Sequence, residues 1–166
     1  MPSWRGFTGA GALVHDLSTD EFILIKDYHG RYSDMGGALQ PPLSDGAVAR
    51  TAAQELLEES RKVFSFRASQ LSRCAHVDLA HAGGTYRMYV VPLAHARGAC
   101  TSYYATDASR LPPAYRETTG MTRFPAAQFR GQGGVGKTAR TDTGRWEPLD
   151  DRVRSGLAAV LRAHHA

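Results

Sequence analysis

The sequence predicts an α+β fold on three observations: two strand–turn–strand patterns, an amphipathic helical stretch between them, and a second helical stretch late in the chain. GALVHD and EFILIKDY, joined by the turn LSTD, form the first hairpin. RYSDMGGALQPPLSDG reads as a loop, because paired glycines and paired prolines interrupt it. From Ser44 to Lys62 the period becomes helical. Ala49, Ala52, Ala53, Leu56 and Val63 recur at three- and four-residue spacing, and Ser44 or Asp45 suits the N-cap. RCAHVDLA and GTYRMYVVPL, joined by HAGG, form the second hairpin, and RLPPAYRETTGMTRFP is irregular. PLDDRVRSGLAAVLRAHH is a closing helix capped by Asp150 or Asp151, with His164 and His165 reading as a solvated tail. This order differs from the regular βαβ alternation of a parallel sheet.

A chain of 166 residues fits a single domain, 1–166, able to bury roughly 70% of its unfolded surface. Charged residues at 22% and hydrophobic ones at 42% are ordinary for a soluble globular protein. The net charge is +4, and arginine carries the excess, since lysine occurs only at 26, 62 and 137. Arginine suits bidentate phosphate recognition, so an anionic substrate is consistent with the charge; a basic surface of no special purpose is the alternative. Two cysteines, Cys74 and Cys100, argue against a disulfide-built secreted scaffold. The longest apolar runs, such as ILI and YVV, fall far short of a membrane span, and MPSWRGFTGAGALVHD lacks the apolar core of a secretion signal. The expected setting is the cytoplasm, as a soluble intracellular protein.

GQGGVGKT, residues 131 to 138, matches the phosphate-binding pattern G-x-x-x-x-G-K-[ST] at every defined position. A working P-loop lies between a buried strand and a helix. Here FPAAQFR is too short and broken for that strand, and ARTDTGRWEP starts no long helix, so a surface connection is expected. Cys74, His76, His81, His95 and Cys100 lack the tight paired spacing of a zinc site. No nucleophile elbow supports Ser/His/Asp catalysis.

The stronger signal is AAQELLEES, residues 52 to 60. Glu55, Glu58 and Glu59 stand at i, i+3 and i+4, so a helix places all three carboxylates on one side. Clustered like charges need an offset, which a hard divalent cation provides; a solvated acidic helix face is the other reading of the spacing.

MGGALQPPLSDGAVARTAAQELLEES resembles the Nudix hydrolase signature G-x5-E-x7-R-E-U-x-E-E-x-G-U, where U is aliphatic. Gly36 and Gly37 match its opening paired glycines, and Glu55-Leu56-Leu57-Glu58-Glu59 matches E-U-x-E-E at all defined positions. Asp45 lies near the first acidic position, Gln54 stands in place of arginine, and Arg61 in place of glycine. The flanking hairpins and the final helix follow the family's order, so the resemblance spans most of the chain. It implies an α/β/α sandwich around a mixed central sheet. It also implies hydrolysis, dependent on magnesium or manganese, of a diphosphate linkage in a nucleoside diphosphate derivative: a nucleotide, a dinucleotide or a capped RNA end. A catalytically silent module that binds a nucleotide or RNA is the alternative, and it has no need of the carboxylates.

By resemblance, Glu55 and Glu59 are direct metal ligands, Glu58 shares a second ion, and the Gly36 carbonyl completes the sphere. Family members recruit a further glutamate from a loop beyond this box as base or extra ligand. Glu117 is the only glutamate between Glu59 and Glu147. Arg61, three residues after Glu58, is expected to supply part of the positive charge that Gln54 lacks. Arg31, Arg87, Lys137 and Lys26 are candidate phosphate contacts. Trp4, Phe7, Tyr28, Tyr32 and Tyr103 either stack on a base or fill cores and hairpin faces.

Overall fold

A computed structural model describes residues 3–164, so the tail reading of His164 and His165 concerns side chains outside the described residues. Strands β1 (Phe7–Asp16) and β2 (Glu21–Lys26) form the first hairpin. Residues Phe22 to Ile25 are all buried, with Ile23 and Ile25 in one core and Phe22 and Leu24 in the other. A strand covered on both faces needs such a continuous apolar run rather than an alternating one.

The loop expected over residues 31–46 contains two strands, β3 (Tyr32–Ser33) and β4 (Met35–Ala38). β2 splits from β1 after a short ladder, and this segment enters the gap: β3 pairs with β2 at Ile25 and Lys26, and β4 with β1 over Gly9 to Ala12. The turn residues that suggested a loop are what the gap requires. A Cβ on Gly37 would stand 2.6 Å from Glu55 Oε1, and one on Gly36 would collide with the Tyr86 hydroxyl on the opposite face. Each glycine thus clears one side of the sheet.

Helix α1 (Ala47–Glu59) is shorter at both ends than the periodicity predicts. Gly46 is its N-cap and no side chain caps it, so neither Ser44 nor Asp45 does; the Ser44 carbonyl instead receives the Ala47 N–H in a preceding turn. At the other end Arg61 and Lys62 take left-handed backbone, at φ +53 and +68, and the Lys62 N–H closes on the Leu57 carbonyl. That closure ends a helix and favours glycine, which accounts for the residue expected at position 61.

A four-residue turn of helix, α2 (Ala68–Leu71), precedes the hairpin of β5 (His76–His81) and β6 (Gly84–Leu93). β6 runs parallel to β1, the other strand pairs described in this sheet are antiparallel, and an isolated parallel bridge joins Tyr32 to Leu149. Helix α3 (Ala99–Ala105) follows, and then β7 (Gly120–Pro125), which pairs with β2 along its length. The seven-stranded sheet therefore runs β3–β2–β1–β6–β5, with β4 on β1 and β7 on β2. A small ribbon, β8 (Thr138–Arg140) with β9 (Trp146–Pro148), leads into α4 (Asp151–His164). Asp150 caps α4 as expected, its Oδ1 accepting the Arg152 N–H at 2.9 Å.

One core lies under α1, with Ala52 and Leu56 against Ala12, Val14 and Ile23. The other lies under α4, with Val153, Leu157 and Val160 against Leu13, Phe22 and Met88. The result is the expected α/β/α sandwich around a mixed sheet. Among the described residues no helix is long and apolar enough to cross a membrane.

Candidate active site

The side of α1 next to the Leu56 stripe carries the carboxylates, and β4 passes directly beneath them. Gly36 donates its N–H to Glu59 Oε1 at 2.6 Å. Glu55 Oε1 accepts the Gln40 amide at 2.7 Å, and Glu58 Oε1 accepts the Gln54 amide at 2.5 Å. Gln54 therefore serves Glu58 with a neutral donor one helical turn away.

Burial makes Glu55 and Glu59 poor acids. Burial pushes Glu55 up to about 7, the charges of Glu58 and Glu117 add to the effect, and the Gln40 hydrogen bond and Arg152 oppose it. Glu59 is held well above the usual carboxylate range, first by burial and then by Glu55; Arg152 and the Gly36 N–H pull the other way. Two neighbouring carboxyls, Glu55 buried and Glu59 half-buried, that resist ionising together are held at a cost that a cation relieves.

Glu117 is brought to this group. It ends a short 3₁₀ turn (Pro113–Arg116) and is exposed, with its charge felt at Glu55. Thr118 anchors the turn: its Oγ1 donates to the Glu59 carbonyl at 3.0 Å and meets the Tyr103 hydroxyl at 2.7 Å. Arg61 belongs to this anchor and not to Glu58. Its Nη2 donates to the Thr118 carbonyl at 2.9 Å, and its guanidinium lies 4.1 Å from the centre of the Tyr103 ring. The left-handed backbone at position 61 turns the side chain off the α1 surface, which overturns the expectation that it faces Glu58.

The residue that the sequence reading missed is Arg152, in the first turn of α4. Its Nε donates to the fully buried Asp34 at 2.8 Å, and its Nη2 stands 3.5 Å from the Gly36 carbonyl. Burial works against its charge, but Asp34, Tyr86 and Glu59 hold it firmly protonated. Only the tertiary fold brings position 152 to position 34, so no local motif marks it.

The other candidates lie elsewhere. Arg87 gives both ends of its fork to Asp78, at 2.8 and 3.0 Å, and lines a cleft of about 390 Å³ with Phe7, Val48 and Tyr89 at the N-terminal end of α1. Asp45 lines the same cleft, roughly the length of α1, or 20 Å, from Glu59. Arg31 and Lys137 are exposed, and Lys26 lies over the Tyr32 ring. Tyr32 and Tyr103 are core residues, whereas Tyr28 is exposed. The 131–138 segment is no P-loop: a 3₁₀ turn (Ala126–Phe129) precedes it and Thr138 opens a strand. Cys74 and Cys100 are free and half-buried.

Among the described residues, no three of His, Cys, Asp and Glu converge as a finished metal shell. The fit to a divalent ion rests on donor chemistry. Glu55 and Glu59 offer oxygen donors only, beside a Gly36 edge whose N–H reaches Glu59 and whose carbonyl faces Arg152.

No family model matches the sequence, and no curated protein does. Solved structures do match. Dihydroneopterin triphosphate pyrophosphohydrolase of E. coli superposes with a TM-score of 0.52 at 10% identity, over 98% of this chain and 99% of that one. The MutT protein from Methanosarcina mazei Go1 gives 0.49 at 13% identity, over 98% of both chains. A NUDIX hydrolase from Nitrosomonas europaea gives 0.43 at 15% identity, over 75% of both. With the first of these matched over nearly its whole length, and with E-U-x-E-E on α1 set against a paired-glycine strand, the chain has the fold of the Nudix hydrolases.

Proposed function

We propose that this protein hydrolyses a diphosphate linkage in a nucleoside diphosphate derivative, with magnesium or manganese as cofactor. The observation that carries the reading is the burial of Glu55 beside Glu59, on a helix face pressed against the glycine edge of β4. A solvated acidic face would leave these groups in water. Here the fold takes on a repulsion that a bound cation would relieve, which supports the reading.

Glu55 and Glu59 would hold the ion, with the Gly36 carbonyl beside them and Glu58 available to a second. A divalent ion there neutralises diphosphate oxygens and lowers the pKa of a bound water. The chain's own residues supply the rest. Glu117 is exposed and its charge is felt at Glu55, which supports it as the group that would accept a proton from the attacking water. Thr118 and Arg61 hold that turn in place. Exposed Arg31 and Lys137 are assigned to the remainder of the substrate, with Arg87 reaching only a portion that extends to the far end of α1. Nucleotides, dinucleotides and capped RNA ends all fit this chemistry.

The test is product formation from a panel of these compounds with magnesium or manganese, run beside Glu59→Gln. Cleavage within the diphosphate, lost in the variant by about a hundredfold or more, is the expected result. Binding without turnover, unchanged in the variant, would replace the hydrolase reading with a nucleotide-binding module.

A further inference from the structure

Arg152 is enclosed by the segment from Ser33 to Gly36. Beyond its bond to Asp34, its Nη2 stands 3.3 Å from Ser33 Oγ and 3.5 Å from the carbonyl oxygens of Asp34 and Gly36. The guanidinium lies over the Tyr86 ring, 4.5 Å from its centre. Tyr86 donates its hydroxyl to the other Asp34 oxygen at 2.6 Å, and Ser33 donates to the first at 3.0 Å. Every partner belongs to the sheet beneath the carboxylates.

Two features separate this from an ordinary interior ion pair. The gripped segment is the one that delivers the Gly36 N–H to Glu59, so any shift of Asp34 moves that donor. And α1 offers its own acids no cation: among the described residues, no ion pair joins Glu55, Glu58 or Glu59 to a basic side chain, and Arg61 is committed to Thr118. The planar fork of an arginine holds Asp34 through Nε while Nη2 reaches the Gly36 carbonyl, a spread of donors over two nitrogens that a lysine ammonium lacks.

We propose that Arg152 is a positioning residue of the carboxylate site, supplying positive charge from α4 and fixing the Gly36 edge against Glu59. Its link to catalysis rests on the hydrolase reading; its hold on the Gly36 edge does not. Arg152→Lys keeps the charge and loses the fork. Arg152→Met with Asp34→Asn removes both charges and leaves an interior that still accepts the Tyr86 hydroxyl, so it serves where the lysine variant fails to fold.

Two quantities are measured in each variant: exchange of the Gly36 amide in metal-free protein, referenced to the Ala12 and Leu13 amides of β1, and the affinity for Mn²⁺ by electron paramagnetic resonance. The expected result is faster Gly36 exchange relative to β1, and Mn²⁺ affinity reduced about tenfold, with kcat falling and KM changed less than about twofold. Variants that are merely less stable, with relative exchange and Mn²⁺ affinity within about twofold of the parent, would overturn the proposal and leave Arg152 as a tie between α4 and the sheet. If the parent protein neither binds Mn²⁺ nor hydrolyses the panel, the hydrolase reading fails separately. The Gly36 exchange then decides the role of Arg152: acceleration in the variants upholds it, and no change overturns it.

Discussion

Glu55→Gln should make the metal-free protein more stable in mild alkali and leave it unchanged in acid. Folding raises the Glu55 carboxyl from 4.5 to about 7, chiefly by burial. The native state therefore holds this proton more tightly than the unfolded chain does, and unfolding releases it at intermediate pH. Stability is fullest below about pH 4.5 and is lost as the pH climbs through 7. At 1.36 kcal/mol per unit, the elevation corresponds to roughly 3 kcal/mol, an upper figure because local relaxation takes part of it. Glutamine keeps the shape and still accepts the Gln40 amide, but it never ionises.

The assay is urea unfolding of both proteins with a chelator across this range. Their difference removes every titration they share. The variant should gain about 2–3 kcal/mol on the parent between mild acid and mild alkali. Magnesium should then close the gap in alkali by stabilising the parent alone, through mass action on the native state. A difference that stays flat with pH would refute the argument, because it would mean Glu55 ionises in the native protein as it does in the unfolded chain.

Three further outcomes follow from named contacts. Arg61→Ala keeps the left-handed backbone and loses the Thr118 bond and the Tyr103 ring contact, so it should cost about 2 kcal/mol. Arg61→Gly loses the same contacts but relieves about 1 kcal/mol of backbone strain, so its melting temperature should lie above that of the alanine variant. Gly37→Ala drives a methyl to 2.6 Å from Glu55 Oε1; turnover should fall by about a hundredfold, with a stability loss of about 1–3 kcal/mol read from urea unfolding. Lys137→Ala should alter KM alone and leave kcat within about twofold, whereas a lysine cradling a transferred phosphate would take kcat down by orders of magnitude.

The layers of the fold were legible because burial on two faces writes itself into the sequence. FILI in β2 and the Ala49–Ala52–Leu56 stripe in α1 state their surroundings directly. β4 was not legible, since MGGA has none of the side chains that mark strands. It is a strand because it pairs with β1, and positions 36 and 37 are glycine because Tyr86 and Glu55 leave no room for a Cβ; both constraints arrive from distant parts of the chain. β7 looks irregular in the sequence for a similar reason, since its partner β2 lies about a hundred residues earlier. Helical spacing places Glu55, Glu58 and Glu59 on one side of α1 but leaves a solvated face open; the resemblance to the signature turns that side into a site, and it points to Glu117 as the one glutamate between Glu59 and Glu147. Arg61 was misplaced because spacing on a regular helix cannot show that the backbone reverses at that residue. Arg152 carried no local signal at all.

The Asp34–Arg152 pair also bears on the order in which the molecule assembles. It joins groups 118 residues apart, a closure made late because so much chain must first be arranged. Until α4 docks, Asp34 lacks its counter-charge, and the edge beneath Glu59 is held by its pairing with β1 and by the Tyr86 hydroxyl on Asp34, without the Arg152 fork. During synthesis, the strands and α1 emerge well before the helix that completes them. A chain halted short of α4 would carry every residue of the E-U-x-E-E motif and still lack the site those residues form. On the hydrolase reading proposed above, the carboxylate site would reach its full arrangement only after α4 has been made and docked.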